Sequence, residues 1–127
     1  MGKYVIKVAK NGKYHFNLLA GNGEPILASQ MYVARKGAVK GIRSVMKNAP
    51  EAPVVDLTAK TVVEAKNPKF EIYEGKDGKC YFRLIAANAK PIGRSEGYNS
   101  LSACKNGINS VKKNAEAEIE KAAKKDE

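Results

Sequence analysis

The chain holds one histidine, two cysteines and no tryptophan in 127 residues. A nucleophilic site needs nucleophile, base and orienting group together, and His15 alternates with core-facing residues on the outward side of a predicted strand. One His and two Cys do not make a zinc site either. Cys80 and Cys104 give no disulfide framework, and both fall on positions expected to face a core, where a reduced thiol behaves as a small hydrophobe. No apolar run approaches the length of a membrane span. The opening MGKYVIKVAKNGKY alternates charged and apolar residues, unlike a signal peptide. A cytoplasmic protein without membrane association is therefore expected. The acidic pair Glu71 and Glu74 lies near a turn, without an apolar pocket to raise a carboxyl pKa. Lys10-Asn11-Gly12-Lys13 and Lys76-Asp77-Gly78-Lys79 are too short to cradle phosphate, and no helix follows them. The sequence thus assigns no catalytic, cofactor-binding or metal-binding residue and implies no cofactor. An enzyme acting on a small molecule is the weakest functional class.

Acidic residues are scarce in one region above all. Residues 1–49 carry nine Lys/Arg against Glu24 alone, a charge of +8 out of a total of +10. Residues 50–67 carry −1, residues 68–115 carry +5 and residues 116–127 carry −2. Such asymmetry points toward an anionic partner, and it also promotes solubility. Arginine is scarce too, at four of 23 basic residues. Lysine supplies solvated point charge rather than forked recognition of phosphate or base edges.

What the chain does contain is one unit written twice. Residues 3–49 and 69–115 align without a gap at an offset of 66, with 20 of 47 positions identical. Each copy is near the size at which a lone core becomes marginal, so the two are expected to share one core. Within a copy, Tyr4, Ile6 and Val8 (Phe70 and Ile72 in the second) alternate with polar residues, the period of a half-buried strand. Asn11-Gly12 and Asp77-Gly78 then mark hairpin turns. A second strand places Tyr14, Phe16, Leu18 and Ala20, or Cys80, Phe82, Leu84 and Ala86, on the same face. A turn around Asn22 or Asn88 leads to a short third strand near Ile26–Gln30 or Ile92–Glu96, and Pro25 and Pro91 are excluded from a central ladder. The period next becomes helical: Ala38, Ile42, Val45 and Ala49, matched by Cys104, Ile108, Val111 and Ala115, form one apolar stripe. Asn99 is the expected N-cap of the second helix and Val33 replaces it in the first, which should start less sharply. Gly41 and Gly107 sit inside these helices at a cost of about 1 kcal/mol relative to Ala. Their presence in both copies implies close approach to a sheet or to the other helix.

The expected fold class is α+β: a tandem repeat of a β3-α(-β) unit forming one antiparallel-rich sheet, with two helices on one face and a pseudo-twofold relation. Residues 1–115 make a single domain of two repeats, 2–58 and 68–115, joined by linker 59–67. Residues 116–127 form a charged tail, either extending the second helix or disordered. A monomer that is internally a pseudo-dimer is favoured.

The second copy carries a distinctive string: Phe70-Glu71-Ile72-Tyr73, Tyr81-Phe82-Arg83-Leu84, Ala87-Asn88, Ser95-Glu96-Gly97-Tyr98 and Ala103-Cys104-Lys105-Asn106-Gly107-Ile108, with Ser110-Val111-Lys112. It resembles the YegP-like family, small prokaryotic proteins of unassigned function. The first copy departs more, with Gln30-Met31-Tyr32 and Val39-Lys40-Gly41 at the matching places, but keeps the spacing. The resemblance implies units joined in one sheet with their final strands exchanged, which would make Val54–Leu57 the final strand of the first copy. The counterparts 66 residues on, Glu120-Lys121-Ala122-Ala123, lack β-branched residues, which argues against a second exchange. The resemblance carries over no catalytic residue.

Two surfaces remain as candidate contacts for an anion or nucleic acid. Lys36, Lys40, Arg43 and Lys47 recur along the helical face opposite the apolar stripe, where the second copy has Ser102, Asn106, Asn109 and Lys113. The fold forms in the second copy without this charge, so the stripe is not a folding requirement and suits a phosphate backbone. A solvated helix face is the commoner meaning of such a run. The second surface is the outer sheet face, where Tyr73, Tyr81, Arg83 and Ile85 should stand together and could stack single-stranded bases. Coverage by a partner subunit or by the chain's own linker accounts for it equally well. The leading functional reading is a small non-catalytic binding or interaction module, whose partner, protein or nucleic acid, the sequence does not name. The alternative is weak, sequence-tolerant nucleic-acid binding through the basic helix face and the aromatic sheet face.

Overall fold

A computed structural model describes residues 2–120. The order is β1 (Lys3–Val8), β2 (Tyr14–Leu19), β3 (Pro25–Ser29), α1 (Arg35–Asn48), a 3-10 turn (Ala49–Glu51), β4 (Val54–Asp56), β5 (Lys69–Glu74), β6 (Cys80–Ile85), β7 (Pro91–Arg94), α2 (Leu101–Asn114) and β8 (Glu118–Ile119). The strands form one mixed sheet in the order β4-β5-β6-β7-β3-β2-β1-β8. This is the expected α+β class, with eight strands and two helices.

Turn chemistry sets the hairpins. Gly12 and Gly78 take φ of 81° and 80°, and the preceding Asn11 and Asp77 side chains accept from the Lys13 and Lys79 amides at 2.9 and 3.0 Å. Pro25 and Pro91 open β3 and β7 at register shifts in the ladders with β2 and β6. There a missing amide does least harm to the sheet. The β3–β7 pairing, Ala28 opposite Arg94 and Ser29 opposite Gly93, joins the two halves at the centre.

Tyr4, Phe16, Leu18, Phe70, Phe82 and Leu84 are fully buried on one sheet face, under Ala38, Ile42 and Val45 of α1 and Cys104, Ile108 and Val111 of α2. One cluster contains residues of both copies. The helix glycines are packing devices. A Cβ on Gly41 would lie 2.9 Å from Tyr32 Cζ and 3.0 Å from Phe16, and one on Gly107 would lie 2.7 Å from Tyr98 Cζ and 3.0 Å from Phe82. Each glycine thus admits a tyrosine ring between helix and sheet. The tyrosines stack on Phe16 and Phe82 at 6.3 and 6.2 Å.

Val54–Asp56 does form an exchanged strand, parallel to β5. The expectation against a second exchange is corrected: Glu118–Ile119 pairs in parallel with β1, and the Glu120 amide donates to the Tyr4 carbonyl at 2.7 Å. Tyr4 faces Ile119 where its counterpart Phe70 faces Val54, so the offset between copies falls from 66 to 65. One residue is missing from the second helix-to-strand turn, where Ala117 is buried as Ala52 is in the first. A gapless alignment therefore falls one residue too far along, placing Glu120 where Ile119 stands. The reading of 116–127 as helical or disordered tail fails for Glu118–Ile119, and residues 121–127 lie outside the described residues. The domain accordingly extends past 115. The helix caps also move by one residue, to Ala34 and Ser100 rather than Val33 and Asn99.

Candidate functional site

On the outer sheet face of the second copy, Tyr73, Tyr81 and Arg83 contact one another and neighbouring acids. Tyr73 and Tyr81 face each other across β5 and β6 and stack at 5.7 Å and 16°. The Arg83 guanidinium lies 4.7 Å from the Tyr73 ring centroid, and its Nε donates to Glu71 at 2.8 Å. Lys69 reaches Glu71 at 3.3 Å and the linker residue Glu64 at 3.6 Å. Burial alone would raise the Glu71 carboxyl, but the hydrogen bonds and charges of Arg83 and Lys69 outweigh it and hold the pKa below its ordinary value. Tyr81 donates its hydroxyl to Asp77 at 2.5 Å. That bond pushes the Tyr81 pKa up and draws the Asp77 pKa down.

Ile85, expected in an open patch beside these residues, is buried, as is Val55 across from Glu71. Both lie outside the main core. Asn67 of the linker and Ile85 line one groove beside Lys69, Glu71 and Arg83. The Tyr73, Tyr81 and Arg83 side chains thus have partners within the molecule. Their rings and charge are largely engaged before any base or phosphate arrives.

The helix layer is the reverse. Lys36, Lys40, Arg43 and Lys47 are all exposed on α1, opposite the buried Ala38, Gly41, Ile42 and Val45. With Arg35 this makes five cations in α1, and α2 adds Lys105, Lys112 and Lys113; neither helix contains an acidic residue. Among the described residues the ion pairs involve Lys3, Lys69 and Arg83, all in strands, and none involves a helix cation. The basic stripe and the tyrosine cluster lie on opposite sides of the sheet, so the structure does not bring the two candidate surfaces into one site.

Two residues beside the basic stripe, Arg35 of α1 and Tyr14 of β2, were not among the contact candidates. Arg35 and Tyr14 line a groove with Lys36, Lys40 and Arg43. The counterpart of Arg35 is the uncharged Leu101, and that contrast was the available signal. His15 stands opposite Lys7 on the outer face. Both cysteines are free, and burial pushes the Cys104 thiol up to about 11. Among the described residues no three His, Cys, Asp or Glu side chains gather as metal ligands, and no helix is long and apolar enough to cross a membrane.

Comparison with known proteins places these features in a family. The model of a domain of unknown function, DUF1508, matches residues 9–56 and 76–120. The UPF0339 protein YegP of Yersinia pestis is 44% identical over 114 residues, covering 90% of this chain and 88% of that protein. A UPF0339 protein of Photorhabdus laumondii is 46% identical over 111 residues, covering 87% and 84%. The solution NMR structure of YegP from E. coli, a protein of unknown function, superposes with a TM-score of 0.76 at 33% identity, covering 93% of this chain and 89% of that one. That of a UPF0339 protein from Shewanella oneidensis gives 0.75 at 35%, with the same coverage.

Proposed function

The chain belongs to the YegP (UPF0339, DUF1508) family, whose function is unknown, and on that premise we propose that it is a non-catalytic binding module for nucleic acid. In this reading α1 lies along a phosphate backbone and contacts it without reading sequence. The observation that carries it is the charge of the helix layer: eight Lys/Arg, no acid, and no ion pair among the described residues. Lys36 and Lys47 stand eleven residues apart, about 16 Å of helix at 1.5 Å per residue. That length allows several phosphates to be met at once. Lysine's predominance supports backbone contact over base reading.

The tyrosine cluster of the sheet face has a structural role in this reading, since Arg83 and Lys69 are paired with Glu71. The non-catalytic part is supported by His15, the single histidine, which stands opposite Lys7 and is in no ion pair with an acid among the described residues. We read the architecture as a fused duplication with a pseudo-twofold relation, acting as a monomer. Two free thiols fit a reducing, cytoplasmic setting.

The test is titration of labelled duplex with the full chain at low salt. Reversing Lys36, Lys40, Arg43 and Lys47 to Glu should abolish binding and leave the circular dichroism unchanged. Retained affinity in the reversed protein would sink the reading.

A further inference from the structure

The groove at the start of α1 is built differently from its counterpart in the second copy. It measures about 580 Å³ and is lined by Tyr14, Arg35, Lys36, Val39, Lys40 and Arg43, together with Ala34. Four cations and no carboxylate converge there. In the second copy the same places hold Cys80, Leu101, Ser102, Lys105, Asn106 and Asn109. Tyr14 is pinned beside the helix start by a two-way backbone bridge with Tyr32, at 2.8 and 2.7 Å.

The helix end itself also differs. Ser100 caps α2 by accepting from the Ala103 amide at 3.1 Å. Ala34 has the same extended backbone but no side-chain acceptor, and the first turn of α1 has no acidic residue. The Gly37 amide turns instead to the Ala34 carbonyl at 3.0 Å, and the amides of Arg35 and Lys36 have no side-chain cap beside the cations. Arg35 adds a further observation: its Nε is buried and meets no acceptor. A half-buried guanidinium among like charges is costly unless an anion joins it.

We propose that this groove is a phosphate-binding site, with Arg35 and Arg43 as its forked donors and Lys36 and Lys40 as supporting charge. The inference rests on the preceding reading for the source of the phosphate, but the site stands or falls separately. Guanidinium suits the planar, two-oxygen contact that lysine cannot make, and here two of the chain's four arginines meet in one groove.

The full chain, isotopically labelled, is titrated with inorganic pyrophosphate and separately with a short duplex lacking terminal phosphates. Saturable amide shifts confined to Tyr14 and residues 34–43 are expected with pyrophosphate. Arg35→Gln with Arg43→Gln should weaken binding by about tenfold or more. Ala34→Asp should abolish it while raising Tm, because the carboxylate both caps the helix and fills the site with charge. Loss of binding in that more stable variant cannot come from unfolding. Shifts that spread over both helices without saturating, or binding unchanged in Ala34→Asp, would overturn the site. If pyrophosphate binds there and the duplex does not, the site stands with a free phosphate as its ligand and the nucleic-acid reading falls.

Discussion

Tyr4 and Phe70 occupy equivalent positions, yet only Tyr4 carries a hydroxyl, and it donates to the Ala115 carbonyl at 2.6 Å inside the core. Burial pushes its pKa up, so the phenol stays protonated and keeps donating. Tyr4→Phe should therefore lower stability by about 1 kcal/mol in urea denaturation, the usual value of one buried hydrogen bond. Phe70 shows that the ring alone is accommodated. A second contrast runs the other way. Gly23 takes φ of 87° in the first copy, and its counterpart Ala89 is forced to 72°. A left-handed alanine costs about 1 kcal/mol, so Ala89→Gly should raise the urea midpoint, whereas Gly23→Ala should lower it. An unchanged midpoint in both variants would mean that the turns relax freely. Neither contrast could be weighed from the sequence alone. The residue types were visible, but the hydroxyl's partner lies 111 positions away, and the sign of φ depends on the turn.

At the scale of elements, the hairpins and helices were legible because their signals are local: alternation, Asn/Asp-Gly turns and an apolar stripe at helical spacing. The sequence missed β8 because a two-residue strand has no period and is held by backbone pairing to a strand more than 100 residues earlier. The caps were misplaced by one residue for a related reason, since Asn99 and Ser100 both suit an N-cap and only the backbone decides between them. The helix starts make a matched pair of predictions. Ala34 already has cap-like φ and ψ of −132° and 155°. Ala34→Ser should therefore gain about 1 kcal/mol, and Ser100→Ala should lose about the same. Thermal unfolding of the two variants and the parent checks both. The candidate site was half legible at this scale. The cationic stripe follows from helical spacing, but the pairing of Arg83 with Glu71 depends on the register of β5 against β6.

In the whole molecule, each half supplies an outer strand to the other half. Strand β4 follows α1 yet pairs with β5, and β8 follows α2 yet pairs with β1. The cross-links continue beyond the sheet, with the Gly2 amide donating to Asn114 at 2.7 Å. A fragment of residues 2–58 should consequently be poorly folded or dimeric by sedimentation, and a cooperatively folding monomer would contradict the shared core. The two layers differ in charge: every ion pair among the described residues is made from the sheet, at Lys3, Lys69 and Arg83, whereas none of the eight helix cations forms one. That separation is the central claim, and salt dependence tests it most directly. Duplex affinity should fall steeply as salt rises, with log K against log salt sloping by roughly −3.6 if the four stripe cations each neutralise a phosphate. A duplex that does not bind at low salt, or whose affinity is indifferent to salt, would contradict the account.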